Sequence, residues 1–519
     1  MDLLEIVLFL LLCAVALGWL ARRLNFPYPI ALVIGGAALG FLPELPQFPF
    51  DPQFILVLVL PPILYQAALL TSWRDFKANI RPISLLAVGL VIATTLAVGA
   101  ALKLVVPDIP WAAAFVLGAI VSPPDAVAAT AILSRLNVPR RVVTILEGES
   151  LVNDASGLVL YKFAVAAVMT GTFSFLDASV QFVGVAIGGV IIGVLLGRLF
   201  VFIHRYLGDV FIEVLMTLSV PYIIYILAEW LQVSGVLAVV AAGLVRGRYS
   251  PEIVSAEMRI IARSVWNLLV FLLSSLVFIL IGLQLSGIVG RLTGNSAIEL
   301  VFYGTLVSAV AIAVRFAWIY PATYLSYLLS ARGRERDPAP PEAEAFIMSW
   351  CGMRGIVSLA AALALPLLLN ERQPFPGRDL IIFLTFVVIT VTLVLQGLSL
   401  APLIRTLRVG TDWSGHEEEQ HARFALGKAA IAAIDELALK ENVPAEMAER
   451  IRAEFAEKVR IAPPGGHVLS SGADLAGRLR SAAIRAERQE LIRIWRENRI
   501  SDDVLHRLEE DLDYQESRL

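Results

Sequence analysis

Gly118-Ala119-Ile120-Val121-Ser122-Pro123-Pro124-Asp125-Ala126-Val127 sets two prolines and a carboxylate inside an otherwise apolar run, 110–134. Proline lacks the N–H that a helix interior needs, and its ring clashes with the carbonyl four residues back. Two in succession stop the helix and free the carbonyls near Ser122. At membrane depth such irregular backbone is tolerated only where it is buried in protein or lines a cavity. Asp125 opens the second half of the run, where amide groups favour negative charge. The run therefore reads as a broken helix at the heart of an all-α polytopic membrane protein.

Composition agrees with that reading. Of 519 residues, 58% are hydrophobic and 17% charged, with a mean hydropathy of +0.75. Soluble domains are nearer roughly 45–50% apolar and 25% charged, so the surplus apolar surface is expected to face a lipid bilayer. A net charge of -3 leaves no basic footprint for nucleic acid. Cys13 and Cys351 lie in apolar stretches and form no disulfide or metal pattern. His204, His416, His421, His467 and His506 fall in a loop or the tail, so no histidine cluster is expected at membrane depth.

A spanning helix needs about 20 mostly apolar residues. Thirteen stretches are candidates: 3–20, 28–43, 54–71, 82–106, 110–134, 141–169, 178–203, 211–230, 234–246, 264–285, 297–328, 343–370 and 379–404. Basic residues mark alternate loops: Arg22 and Arg23; Arg74, Lys77 and Arg81; Arg135, Arg140 and Arg141; Arg198 and Arg205; Arg246, Arg248, Arg259 and Arg263; Arg332, Arg334 and Arg336. The loops between hold only Lys103, Arg291, Arg372 and Arg378. The positive-inside rule puts the first set in the cytoplasm. The expected topology is thus multi-pass in the cell inner (plasma) membrane, N-terminus outside and C-terminus cytoplasmic. Met1-Asp2-Leu3-Leu4-Glu5 lacks the basic start of a signal peptide, so the first helix is expected to be retained.

Composition shifts after Arg408. The expected division is a transmembrane domain, 1–409, and a soluble helical cytoplasmic tail, 410–519. Met447, Ile451, Phe455 and Val459 recur at helical spacing, and Pro463-Pro464-Gly465-Gly466 divides the tail into two helical pieces. A solvated appendage and a regulatory module are equally compatible with it.

Ionisable groups at membrane depth are costly and mark function. The stretch 141–169 carries Glu147, Glu149, Ser150, Asn153 and Asp154. Glu149 and Asn153 share a helix face, and Ser150 and Asp154 share the next. Asp154 with Asp125, helped by Ser150 and open carbonyls near Ser122, forms an oxygen-rich site suited to a hard monovalent cation. Arg315 lies in the apolar run 311–317 and needs an anion; Glu149 is the expected partner. Trp350-Cys351-Gly352-Met353-Arg354-Gly355 marks a second break. Two interrupted spans at corresponding places point to inverted repeats with the site between them. Glu213 and Glu229 lie near span ends and read as structural, and Lys162 as snorkelling outward. Gly184, Gly188, Gly189, Gly193 and Gly197 form a ladder that lets another helix approach closely, within the chain or across a dimer.

At these residues the chain resembles the monovalent cation/proton antiporter superfamily, in its sodium/proton exchanger branch. The resemblance rests on EGESLVND at 147–154 with Ala155-Ser156-Gly157, and on SPPDAVA at 122–128. LPPILY at 60–65, SGVLA at 234–238, GMRG at 352–355 and Val394-Leu395-Gln396-Gly397 extend it over nearly all of 1–405. It implies a core bundle of spans four to six and eleven to thirteen, a scaffold that forms a homodimer, and no cofactor. It implies Asp154 as the ion- and proton-binding carboxylate, Asn153 as its neighbour, Asp125 as helper from the break, Glu149 paired with Arg315, and Arg354 in the second crossing helix. An Asn-Asp pair implies electroneutral one-for-one exchange. Many members carry threonine or a small residue where Pro124 stands, so a carbonyl is expected to replace a side-chain ligand here.

The expected activity is secondary antiport of Na⁺, Li⁺ or K⁺ against H⁺ by alternating access. Desolvation favours the neutral carboxyl, so a proton and a cation would compete for Asp154. A K⁺-selective exchanger would use the same residues. A cation channel would need pore loops or acidic rings, which are not evident, and a transport-silent sensor acting through the tail is a third alternative.

Overall fold

The computed structural model describes residues 3–23, 27–41, 52–133, 136, 138–172, 174–291, 296–329, 341–370, 373–407, 409, 414–460 and 473–516. Arg135, Arg332, Arg334, Arg336, Arg372, Arg408, Pro463-Pro464-Gly465-Gly466 and His467 lie outside the described residues, as does the side chain of Val459.

Helices α1 (Leu3–Arg23), α2 (Tyr28–Gly40) and α3 (Pro52–Leu70) come first. Two short helices follow, α4 (Trp73–Ala78) and α5 (Ile80–Ser84). A π-helical segment, Leu85–Leu90, then joins α5 to α6 (Val91–Val105). The double proline splits the next run into α7 (Trp111–Val121) and α8 (Ala126–Leu133). Six helices continue the chain: α9 (Arg140–Thr170), α10 (Phe175–His204), α11 (Val210–Trp230), α12 (Gly235–Ile253), α13 (Ala256–Arg291) and α14 (Ala297–Leu329). The glycine-flanked arginine separates α15 (Glu342–Trp350) from α16 (Ile356–Leu363). A second π-helical turn, Thr392–Gln396, links α17 (Arg378–Val391) to α18 (Gly397–Thr406). The tail holds α19 (Ser414–Lys440), α20 (Ala445–Arg460), α21 (Ala473–Arg496) and α22 (Asp502–Glu516).

Seven of the described helices are long and apolar enough to cross a membrane, and three shorter apolar helices accompany them. Large aliphatic side chains stand exposed along α10, among them Val180, Val183, Ile187, Ile191 and Leu195. In water such a surface would be costly; in lipid it is not.

Several sequence expectations change. The stretch 343–370 does not stay helical to its end. The helix stops at Leu363, Pro366 follows, and β1 (Leu368–Asn370) pairs antiparallel with β2 (Gln373–Pro374). Proline lacks the donor to continue a helix, while the apolar run alone hid the stop. Arg198, Arg246 and Arg248 belong to helices rather than loops, and Arg246 is buried. His204 ends α10 instead of lying in a loop, and its Nε2 sits 3.3 Å from Glu213. Lys162 is exposed and pairs with Glu229 at 2.9 Å.

The chain divides into two compact units. The first comprises Met1–Phe202, Met216–Gly247 and Trp266–Thr411. Its interior holds two apolar clusters. One draws on residues from α1, α2, α13 and the helices around the second break. The other joins α6, α7, α14 and α17. The glycine ladder is packed within this unit: side chains at Gly189, Gly193 and Gly197 would run into the backbone of Ser234, Ala238 and Ala242. Gly184 meets nothing within 4 Å.

The second unit comprises Ile203–Leu215, Arg248–Val265 and Asp412–Leu519. Its tail helices have their own core. Ile434, Ile451, Phe455 and Leu479 form one cluster, and Leu426, Leu491, Val504 and Leu508 belong to another. Arg259 holds Asp513 through two hydrogen bonds of 3.0 and 3.1 Å, and Arg263 pairs with Glu510 at 2.9 Å.

Candidate functional site

The two breaks satisfy each other's backbone. Helix α7 ends at Val121, and Pro123 and Pro124 cannot donate to its last carbonyls. Arg354 of the second break reaches the Val121 carbonyl through Nε at 2.8 Å and also donates to the Gly352 carbonyl. Its own backbone N–H donates to Thr392 Oγ1 at 3.1 Å. A cation therefore lies where the carbonyl ends of two half-helices converge, which is where the helix dipole favours positive charge.

Asp125 completes the arrangement from the other side. Its backbone N–H donates to the Met353 carbonyl at 2.7 Å. Its carboxylate lies against the Cα of Gly355, so any side chain there would collide with it. The carboxylate thus sits at the start of both α8 and α16, at their amide ends. Ser122 is buried, and its hydroxyl donates to the Ala119 carbonyl at 2.9 Å, returning one of the freed carbonyls to a partner.

Helix α9 runs beside the first break. Gly157 receives the ring of Pro123 so closely that a Cβ would clash. Ser156 ties α9 to the π-helical segment by donating to the Ala87 carbonyl. Asn153 is fully buried, and its Nδ2 reaches the Pro124 carbonyl at 3.5 Å. Its Oδ1 has no hydrogen-bond partner among the described residues. Ser150 is half-buried one turn before Asp154.

Glu149 and Asp154 differ in one decisive respect. Both oxygens of Glu149 are held by Arg315, at 2.5 and 2.7 Å, in a two-pronged pair. Arg315 Nε also donates to the Met348 carbonyl at 3.0 Å. This leaves Glu149 as the counter-charge of a buried arginine, not as an open ligand. Asp154 is only 6% exposed, and among the described residues no cationic side chain pairs with it. Asp125 is the charged group that acts on it. An isolated buried carboxylate is very costly unless it is neutralised.

Six of the eight residues singled out in the sequence gather round the breaks: Ser122, Asp125, Asn153, Asp154, Ser150 and Arg354. Glu149 and Arg315 form the neighbouring pair. Among the described residues no group of three or more His, Cys, Asp or Glu could hold a metal ion. Thr392 was not evident from sequence, and Gly355 was singled out only as part of the second break, not as the neighbour of Asp125. A hydroxyl capping one backbone N–H and a glycine that makes room for a carboxylate leave no periodic or compositional trace.

A family model described as "Sodium/hydrogen exchanger, transmembrane" matches residues 7–406. The chain belongs to the sodium/hydrogen exchanger family. This exchanger is 34% identical over 546 residues to an uncharacterized Na⁺/H⁺ exchanger of Escherichia coli, covering 100% of the chain and 99% of the relative. It is 33% identical over 459 residues to the sodium, potassium, lithium and rubidium/H⁺ antiporter of Bacillus subtilis, covering 86% of the chain and 68% of the relative. Its fold is similar to that of the sodium proton antiporter MjNhaP1 from Methanocaldococcus jannaschii, with a TM-score of 0.61 at 20% identity, covering 78% of this chain and 99% of that one. The exchanger is thus a multi-pass cation/proton antiporter, a transporter and not an enzyme, and the ions are its substrates and not cofactors.

Proposed function

We propose that this exchanger carries Na⁺, with Li⁺ and K⁺ as further candidate substrates, in electroneutral one-for-one exchange for H⁺. The observation that carries the reading is Asp154: a buried carboxylate with no cationic partner among the described residues, beside a neighbouring Glu149 that has one. Asp154 holds either a proton or the cation. Each ligand neutralises the carboxylate, so each displaces the other. In this reading Asp125 adds a second carboxylate from the break, and Ser150, Asn153, Ser122 and the Pro124 carbonyl supply neutral oxygens. Arg315 and Arg354 keep the surrounding charges in balance and do not touch the ion.

Alternating access follows from the family's broken helices. In this reading thirteen helices cross the membrane, spans four to six and eleven to thirteen are inverted repeats forming the core, and the remaining spans form a scaffold that dimerises. The chain sits in the cell inner membrane with its N-terminus outside. Residues 1–409 transport, and 410–519 form a cytoplasmic tail. A K⁺-selective exchanger would use the same residues; the Bacillus subtilis relative, named for sodium, potassium, lithium and rubidium together, supports K⁺ as a substrate beside Na⁺.

The test is the purified protein in liposomes, with internal pH recorded after Na⁺, K⁺ or Li⁺ is added outside. Cation-driven proton movement in the wild type, absent in a folded Asp154→Asn variant, is expected. Retained exchange in that variant would remove Asp154 from the centre of the mechanism. Flux that fails to saturate with cation would favour a channel instead.

A further inference from the structure

Gln396 has no role in the site described so far. It is the last residue of the π-helical turn Thr392–Gln396 and is completely buried. Neither its Nε2 nor its Oε1 meets a hydrogen-bond partner among the described residues. A buried amide in that state destabilises the fold, and natural interiors hold few of them. The π-helical turn is itself an unusual choice, since such turns are rare and concentrate at functional sites. Two unfavourable local features on one turn call for a use that offsets them.

The turn's position supplies that use. Thr392, at its start, accepts the Arg354 backbone N–H. Just past its end, a side chain on Gly397 would meet Met353 Sδ at 3.5 Å and Ile30 Cδ1 at 2.9 Å. Met353 is the residue whose carbonyl holds the Asp125 backbone. The turn therefore borders the second break at both its ends, one residue from the link that fastens the two breaks together. Asn153 Oδ1 is the corresponding unpartnered amide oxygen on the α9 side of the same crossing. Neutral oxygens of this kind replace water around a monovalent cation without adding charge.

We propose that Gln396 is a cation-positioning residue of the transport path, its amide oxygen replacing part of the hydration shell of the monovalent cation beside the second break. This inference rests on the exchange reading above. It makes Gln396 a determinant of cation affinity and selectivity, while Asp154 remains the group that trades cation for proton.

The test pairs Gln396→Met with Gln396→Glu in proteoliposomes, beside the wild type and Asp154→Asn. Methionine fills the same space without a polar group, so Gln396→Met is expected to melt at or above the wild-type temperature. Its apparent KM for Na⁺ should nonetheless rise roughly tenfold more than its maximal rate falls, the mark of lost substrate binding. Gln396→Glu keeps the oxygen and adds charge, so its KM should fall back to the wild-type value or below, with a changed Na⁺:K⁺ ratio. A Gln396→Met variant that melts lower or fails to fold would mean the amide is structurally paired, and would overturn the inference. So would unchanged KM and selectivity in a stable variant. A wild type that exchanges no cation would instead sink the underlying exchange reading.

Discussion

Arg315 is buried inside the first unit, and its guanidinium makes two hydrogen bonds to Glu149 and one to the Met348 carbonyl. Breaking a buried pair by deleting one partner typically costs about 3–5 kcal/mol, because the other charge is left alone. Arg315→Ala should therefore lower stability by about that much, read as a fall in melting temperature of the purified protein. Adding Glu149→Gln should restore part of the loss, since the stranded charge goes with it. If the double variant is no more stable than the single one, the pair is not the source of the effect. Much of this was readable at the residue scale. An arginine in an apolar run demands an anion, and Glu149 was the expected partner. The surroundings of Arg354 were not readable. Its partners are the Val121 carbonyl, 233 positions away, and the Thr392 hydroxyl. A carbonyl looks the same behind every side chain, so no residue type announces such a contact.

At the scale of elements, the first break was legible from Pro123-Pro124 followed at once by Asp125, and the structure separates α7 from α8 there. The double proline alone does not decide it, because Pro61-Pro62 lies inside the continuous helix α3. The π-helical segments were not legible, because in wholly apolar runs a period of 3.6 and one nearer 4.4 leave the same pattern. Their neighbours reveal them instead: Ser156 and Trp318 donate to the carbonyls of Ala87 and Leu85 in the first segment. The glycine ladder was readable as a close approach, but the partner helix was not named by the sequence. The structure identifies it as α12 and the residues just before it. A methyl group on Gly193 would meet the Ala238 backbone, whereas one on Gly184 would meet open space. Gly193→Ala should thus destabilise by roughly 1–3 kcal/mol through overpacking. Gly184→Ala should be neutral or stabilising by up to about 1 kcal/mol, since alanine is the better helix former. Equal effects from the two, measured as melting temperatures of the purified proteins, would mean the ladder does not set the helix spacing.

At the scale of the whole molecule, the second unit joins the tail to membrane-helix ends through charge. Glu509, Glu510 and Asp513 of α22 face Arg259 and Arg263 of α13, and Arg496 of α21 pairs with Glu252 of α12 at 2.7 Å. Glu509 is the odd member. Burial raises its carboxyl above the usual range, although Arg259, His506 and Arg488 pull the other way and Asp513 adds to the rise. A carboxyl raised in the folded state binds its proton at a higher pH there than in the unfolded chain. By linkage its contribution to stability is present at low pH and is lost as pH rises through the folded value. The tail should accordingly grip more firmly in mild acid than at neutral pH. Glu509→Gln, which is neutral throughout, should abolish that dependence and protect α22 more than the wild type does at neutral pH. Hydrogen exchange over residues 502–516 of the full-length protein, compared between the two at matched pH, measures this directly. Greater protection in the variant at neutral pH, converging with the wild type in acid, is the expected result. Curves that stay superimposed at every pH would show that Glu509 holds its charge in the fold without penalty, and that the grip of the tail owes nothing to its titration.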